Sequence, residues 1–267
     1  MSDYSIWVLE YCYVSKYHKS GVLYGAHNQG YLKLPYCYAV IKGKGQVAMV
    51  DVGWRNPRTV LQGIGLTPED VQNVFITHAH FDHFGNVEDF PNATFHIQEQ
   101  ELAKWVWAMS LPDRLRWMMV AVDPGDIIRG VELARDKRLK CINGNVSDVL
   151  PGVDLHVALD SHTFASQWVH VRNDGKSDSK DGWVLAGDLV YVFENIDGPG
   201  GVVDVDQMYV PVGLAVGSQQ NLVMATEEMM KAVQYDSKRV IPIHEERLKD
   251  RFPSRITEDG LRITEIC

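Results

Sequence analysis

This 267-residue chain predicts a layered α/β or α+β domain, on three observations. Short runs of β-branched and aromatic residues alternate with segments carrying helix caps, so strands and helices interleave along the chain. Glycine and proline punctuate these segments closely, and no internal repeat, low-complexity tract or Pro/Ser-rich linker interrupts them. The composition, 45% hydrophobic and 23% charged, is that of an ordinary soluble globular protein and excludes disorder as the main state.

Taken in order, residues 37–42 and 46–50 read as paired strands split by the Gly43-Lys44-Gly45 turn, the second ending in Asp51-Val52-Gly53. Asn56-Pro57 supplies a cap and a first-turn proline for a short helix that Gly63 or Gly65 stops, and Thr67-Pro68-Glu69-Asp70 repeats the device. Val74–Thr77 is a short buried strand. Residues 98–140 are mainly helical, rich in Trp and Met, and interrupted at Pro112 and Pro124-Gly125. Residues 153–159 alternate as a strand, and 167–172 form another before the turn at Asn173-Asp174-Gly175. Trp183–Ala186 is a buried strand, 221–234 a helix, and Arg239–Ile243 a last short strand.

Charge and cysteine usage narrow the function classes. Lys and Arg number 26 against 35 Asp and Glu, a formal charge of −9. A chain that grips a phosphate backbone by counterion release carries the opposite balance, so nucleic acid is disfavoured. No apolar run approaches the roughly 18 residues that span a bilayer, so no membrane partner is expected. The opening residues show neither a basic n-region nor a long apolar core, and the expected location is the cytoplasm. Cys12, Cys37, Cys141 and Cys267 are too scattered for a zinc ribbon and too few for a disulfide scaffold. They read as reduced thiols, the inner ones buried as small hydrophobes.

The chemistry concentrates in Thr77-His78-Ala79-His80-Phe81-Asp82-His83-Phe84-Gly85, where three histidines and an aspartate follow a buried strand. A strand end exposes side chains while the sheet behind it holds their backbone rigid. Imidazole nitrogen with carboxylate oxygen is a ligand set for zinc and its borderline neighbours. In extended chain His78 and His80 share a face, and a turn at Phe81 sends Asp82 and His83 to a second position, which makes a site for two metals. Three imidazoles packed without a metal would repel when protonated and leave lone pairs unpaired when neutral.

This pattern resembles the metallo-β-lactamase superfamily, and the resemblance extends over nearly the whole chain. It implies an α+β fold of the αββα-sandwich type, two mixed sheets packed between helical layers. It also implies a single domain over 1–267 with a helical, pocket-shaping insertion at about 98–140. Three later segments match the family's remaining ligand positions. Asp160-Ser161-His162-Thr163-Phe164-Ala165-Ser166 resembles its Gly-His-Thr-Pro-Gly loop, with the flanking glycines and the proline replaced. Leu185-Ala186-Gly187-Asp188 supplies a carboxylate and Ile241-Pro242-Ile243-His244 a last histidine. By resemblance His78, His80 and His162 hold one metal, Asp82, His83 and His244 a second, and Asp188 bridges them. Asp51 stands where the family keeps a carboxylate that steadies ligands. The ions implied are two divalent metals, zinc first, with Mn, Co or Fe accepted by the same donors.

Residue types narrow the branch. Aspartate rather than cysteine at the bridging position argues against several antibiotic-degrading members, and His80 stands where the oxygen-reducing di-iron branch has glutamate. The chain is most similar to the N-acyl homoserine lactonases, through Leu34-Pro35-Tyr36-Cys37-Tyr38, Phe252-Pro253, and Tyr191 three residues after Asp188, where that family bonds the substrate carbonyl. The resemblance implies ring opening of a lactone or similar cyclic ester by a metal-bridging hydroxide, with Tyr191 in the oxyanion hole and Asp82 moving the proton. The alternatives on the same site are thiolester, organophosphate and phosphodiester hydrolysis. The first lacks a basic cluster for a glutathione tail, and the charge of −9 counts against the last.

Weaker features remain. Trp105, Ala108 and Met109 share a helical face, expected as core packing, as a wall or lid for a small-molecule substrate, or as a contact within a homodimer. Tyr11, Tyr13, Tyr17, His18, Tyr24 and His27 form an aromatic segment before the first hairpin, and Asp204 and Asp206 lie on a loop. His96, His156 and His170 read as strand residues outside the ligand pattern.

Overall fold

The structure, a computed structural model, describes residues 4–198 and 208–267; Asp204 and Asp206 lie outside the described residues. In chain order the elements begin with β1 (Tyr4–His18), β2 (Tyr31–Gly43), β3 (Gln46–Val50), α1 (Arg58–Gln62), β4 (Asn73–Phe75), α2 (Phe81–Phe84) and β5 (Thr94–Gln98). They continue with α3 (Glu99–Met109), α4 (Pro124–Arg135), β6 (Leu139–Ile142), β7 (Val146–Leu150), β8 (Val153–Leu159), β9 (Ala165–Arg172) and β10 (Gly182–Leu185). The last are α5 (Glu194–Asp197), α6 (Gln219–Ala232), β11 (Val240–Ile241), α7 (Leu248–Arg251), β12 (Ser254–Ile256) and β13 (Arg262–Glu265). The strands form two mixed sheets, as expected for the α+β class.

The described chain falls into two compact units. The first comprises residues 4–12, 36–144 and 252–267. It is built on an eight-stranded sheet in the order β12-β13-β1-β2-β3-β4-β5-β6, antiparallel between β2 and β3 and parallel from β3 to β6. Its core is made by Ile6, Leu9, Tyr38, Met49, Phe75, Phe84, Phe90, Phe95 and Trp105, all fully buried. Each such side chain contributes about 1.5–3 kcal/mol by leaving water. Parallel pairing sets Val50 beside Phe75, so the chain leaves both strands at one edge and Asp51 emerges level with Ile76, one residue before Thr77.

The second unit comprises residues 13–35 and the described part of 145–251. Its five-stranded sheet runs β11-β10-β9-β8-β7, antiparallel except for the β10–β11 pair. Every residue of β9 is buried. The β8–β9 pairing closes at Leu159–Ala165, and residues 160–164 form the loop between them.

Several local expectations hold. Asn56 accepts the Arg58 N–H at 2.9 Å, Gly63 ends the helix, and Thr67 and Asp70 form a reciprocal capping box. The aromatic N-terminal segment, given no element above, is largely a 15-residue strand, β1. Two expectations differ. The stretch read as mainly helical ends in a strand, β6. None of the four cysteines forms a disulfide, but of the inner pair only Cys37 is buried, while Cys141 is exposed.

Candidate metal centre

In the first unit the histidine cluster is organised by Asp51. This residue sits at the end of β3 with a left-handed φ of 64°, a conformation aspartate tolerates better than most side chains. Its Oδ1 accepts the Thr77 N–H at 2.7 Å, and its Oδ2 accepts the Thr77 hydroxyl at 2.8 Å and His83 Nδ1 at 2.7 Å. The Thr77 hydroxyl proton is thereby committed to Asp51, so Thr77 Oγ1 accepts from His78 Nδ1 at 3.0 Å. One carboxylate therefore sets the tautomer of two rings and leaves each Nε2 with its lone pair outward. Burial raises the Asp51 carboxyl above its ordinary value, and the bonds from His83 and Thr77 oppose that shift.

The remaining members lie close by. His78, His80, Asp82 and His83 are all buried. The His78 ring centroid is 4.5 Å from that of His80 and 4.1 Å from that of His83. Asp82 Oδ2 stands 3.5 Å from His83 Nε2. Glu101 of α3, fully buried, accepts the Ala79 N–H at 3.0 Å and Trp105 Nε1 at 2.7 Å, which pins the residue between the two leading histidines. Trp105 and Ala108 are core residues, and the Trp105 ring lies 6.0 Å from His80. Tyr11 stacks on Tyr38 and donates its hydroxyl to the Asp82 carbonyl at 2.7 Å. Beside α2 a cavity of about 570 Å³ is lined by Trp54, Phe81, Val120, Ala121, Val122 and Arg129 among others.

In the second unit three strand exits converge. His162 lies in the β8–β9 loop, Asp188 in the turn after β10, and His244 beyond β11. Asp188 presents Oδ2 to His162 Nε2 at 3.2 Å and Oδ1 to His244 Nε2 at 3.0 Å. On the far side of each ring, Nδ1 donates to a backbone carbonyl: Leu214 O for His162 and Pro35 O for His244, both at 2.8 Å. With Nδ1 carrying the proton, each Nε2 turns a lone pair toward a carboxylate oxygen that is itself only an acceptor. Such a pairing is repulsive unless a cation stands at it, and imidazole and carboxylate donors are those a divalent transition metal takes. The residues present therefore fit a metal. The Tyr191 ring lies 4.7 Å from His244 and 5.8 Å from His162.

The His162 loop is held by main chain. Val216, Gly217 and Ser218 donate in succession to His162 O, Ser161 O and Asp160 O at 2.9, 3.1 and 2.8 Å. Gly217 is required for this approach, since a Cβ there would lie 2.2 Å from the Asp160 carbonyl. Tyr11, named above only within the aromatic segment, thus supports Asp82, while Glu101 and the segment 214–217 are not marked as site residues by the sequence. The β-branched and aromatic run from Ile6 to Val14 signals Tyr11's strand, whereas a buried Glu within a polar helix start, or a carbonyl acceptor, carries no signal.

A model of the metallo-beta-lactamase superfamily matches residues 32–170 of the chain. A probable metallo-hydrolase of Mycobacterium tuberculosis is 37% identical over 57 residues, which is 21% of this chain and 18% of that protein; the match thus spans under a fifth of the relative's length. Among solved structures, a quorum-quenching N-acyl homoserine lactone lactonase superposes with a TM-score of 0.68 at 17% identity, over 95% of this chain and 97% of that one. AidC, a dizinc quorum-quenching lactonase in complex with a product, gives 0.63 at 16% identity over 98% and 94%. At such identities the likeness is one of fold. The family model covers just over half of the sequence, and the chain belongs to the metallo-beta-lactamase superfamily.

Proposed function

We propose that the chain is a dinuclear metal-dependent hydrolase that opens a lactone or similar cyclic ester. The observation that carries the metal-dependent part is Asp188: its two oxygens face the Nε2 atoms of two histidines whose Nδ1 atoms are each tied to a carbonyl. His78, His80 and His162 are assigned to one ion, Asp82, His83 and His244 to the other, and Asp188 to both. Zinc suits this donor set best, and a dizinc lactonase shares the fold. When bound, two such ions supply Lewis acidity and bring the pKa of a water to about neutrality.

The chain's own residues then have separate tasks. The Tyr191 hydroxyl donates to the substrate carbonyl oxygen as negative charge grows there, a role supported by its ring lying against both His162 and His244. Asp82 takes the proton of the attacking water and returns it to the leaving alkoxide. On one side of the cavity beside α2, Trp54, Phe81, Val120 and Val122 suit an acyl chain or an aromatic ring, while Asp123, Asp126 and Arg129 line the rest. Four cysteines outside disulfides fit a reducing compartment, and the proposed location is the cytoplasm.

The test is hydrolysis, with and without chelator, of an acyl homoserine lactone, an aromatic lactone, a thiolester, a phosphodiester and an organophosphate triester. Chelator-sensitive lactone opening well above the other rates is the expected result. Turnover of thiolester or phosphate substrates alone would overturn the lactonase reading while leaving the metal centre standing. Asp188→Asn should lose both ions by metal analysis. Tyr191→Phe should keep its metal and lower kcat by about 100-fold.

A further inference from the structure

Two histidines outside that centre share a face of the second unit's sheet. Asp154 and His156 are two residues apart on β8 and project to the same side. The antiparallel register sets Asp154 opposite His170 of β9, which brings all three side chains together. One ligating atom from each lies within 4.8 Å of the other two. The group stands near the open end of the β8–β9 hairpin, whereas His162 lies in the loop that closes it.

The imidazoles are placed as ligands rather than as packing. Nε2 of His156 and Nε2 of His170 are both buried without a hydrogen-bond partner, and His170 is itself only 8% exposed. A buried, unmet imidazole nitrogen costs about 1–3 kcal/mol unless something completes it. The His156 ring is held flat on Trp168, with centroids 4.1 Å apart and planes 13° apart. The His170 ring packs closely on the backbone of β10, since a Cβ on Gly182 would lie only 2.7 Å from Nε2. Burial pushes His170 down to about 4 and lowers His156 too, so both rings are neutral at pH 7 with a lone pair to offer.

Asp154 completes the donor set. Arg172 Nε donates to its Oδ2 at 2.7 Å, while Arg172 Nη2 and the Asp148 N–H donate to its Oδ1 at 2.9 and 2.8 Å. A carboxylate offers about four acceptor positions, so Oδ2, which also stands 3.8 Å from His170 Nδ1, retains one. Arg172 does not make the site cationic. With Lys231 it is outnumbered by Asp148, Asp154, Glu227 and Glu228, which pair with these two cations. A cavity of about 560 Å³ lined by Asp154, His156, His170 and Arg172 gives access, and Glu228 of α6 lines an adjoining one with His156.

We propose that Asp154, His156 and His170 form an accessory site for one imidazole-preferring divalent transition metal, with zinc, copper(II) and nickel(II) as the matching class. The ion would cross-link β8 to β9, with water or Glu228 filling the remaining positions. The test is zinc binding by chelator-stripped full-length protein, with ions per chain counted after equilibrium dialysis against micromolar zinc. The His156→Gln/His170→Gln double variant should hold about one zinc fewer than the wild type, whatever number the first centre takes. Lactone hydrolysis should be unchanged in that variant. Should the double variant fail to fold by circular dichroism, His156→Gln alone, at a half-buried position, should lower the affinity for that ion by about 10-fold or more. A folded variant that binds as many ions as the wild type, with the same affinity, would overturn the site.

Discussion

Asp51 shows how much one buried carboxylate can determine. It receives three hydrogen bonds from Thr77 and His83, and through the Thr77 hydroxyl it also fixes His78. In Asp51→Asn one of the two acceptor oxygens becomes an amide donor, facing either a backbone N–H or the Thr77 hydroxyl and His83 Nδ1. Asparagine tolerates the left-handed backbone as aspartate does, so the substitution isolates the hydrogen-bond effect. In the first case Thr77 loses the bond that fixes its backbone, in the second His83 and, through Thr77, His78 lose the acceptor that orients their rings; either way zinc affinity should fall, by about 10–100-fold. Zinc titration of the stripped protein checks this, and unaltered affinity would remove Asp51 from its orienting role.

At the scale of elements, the second unit's cluster of His162, Asp188 and His244 depends on how closely two backbones approach. The segment 214–218 carries the acceptor for His162 and three bonds to its loop, and Gly217 leaves no room for a methyl group. Gly217→Ala should therefore push the loop away, cost about 3 kcal/mol in stability and reduce zinc binding, read by urea unfolding and metal analysis. A fully stable, fully loaded variant would show that the loop yields without loss. The same elements show what a sequence can convey. The apolar runs of β4 and β10 are legible because buried strands need them, and His78 and Asp188 stand out because they follow such runs. The strand β12 is not legible: its three residues are all exposed, and only pairing with β13 makes it a strand. In β7 the two residues after Val146, Ser147 and Asp148, are polar and exposed, which hides that edge. β1 begins with buried residues but turns outward after Tyr11, so its alternation fades midway. The carbonyls of Pro35 and Leu214 are equally invisible, because a main-chain acceptor has no residue type. The grouping of Asp154, His156 and His170 needs the β8–β9 register, which no local pattern states.

Across the whole molecule, stability should fall in mild acid, and the sign follows from the buried histidines. Burial lowers His96 in the first unit and His170 in the second, each from 6.5 to about 4. Their stabilising contribution is complete above pH 6.5, where neither state is protonated. Between 6.5 and 4 the unfolded chain binds protons that the fold refuses, so stability declines with falling pH. Below about 4 both states are protonated and the loss levels off, at on the order of 3 kcal/mol for each group. Asp126 opposes this trend: burial and its neighbour Asp123 raise it to about 6, so protonation of the folded state below that value favours the fold. Asp51, also raised by burial, acts in the same direction, but its bonds from His83 and Thr77 hold that shift back, and with two strongly shifted imidazoles the net slope should remain downward. Acid also strips metal from histidine ligands, so the measurement belongs on chelator-treated protein. Urea midpoints taken between pH 7.5 and 4.5 should fall steadily for the wild type and less steeply for His96→Leu, which removes one titrating group. The slope is the readout, because the lost contact between His96 and Asn73 shifts the level at every pH. Equal slopes in the two proteins would mean that His96 is protonated as readily in the fold as in the open chain.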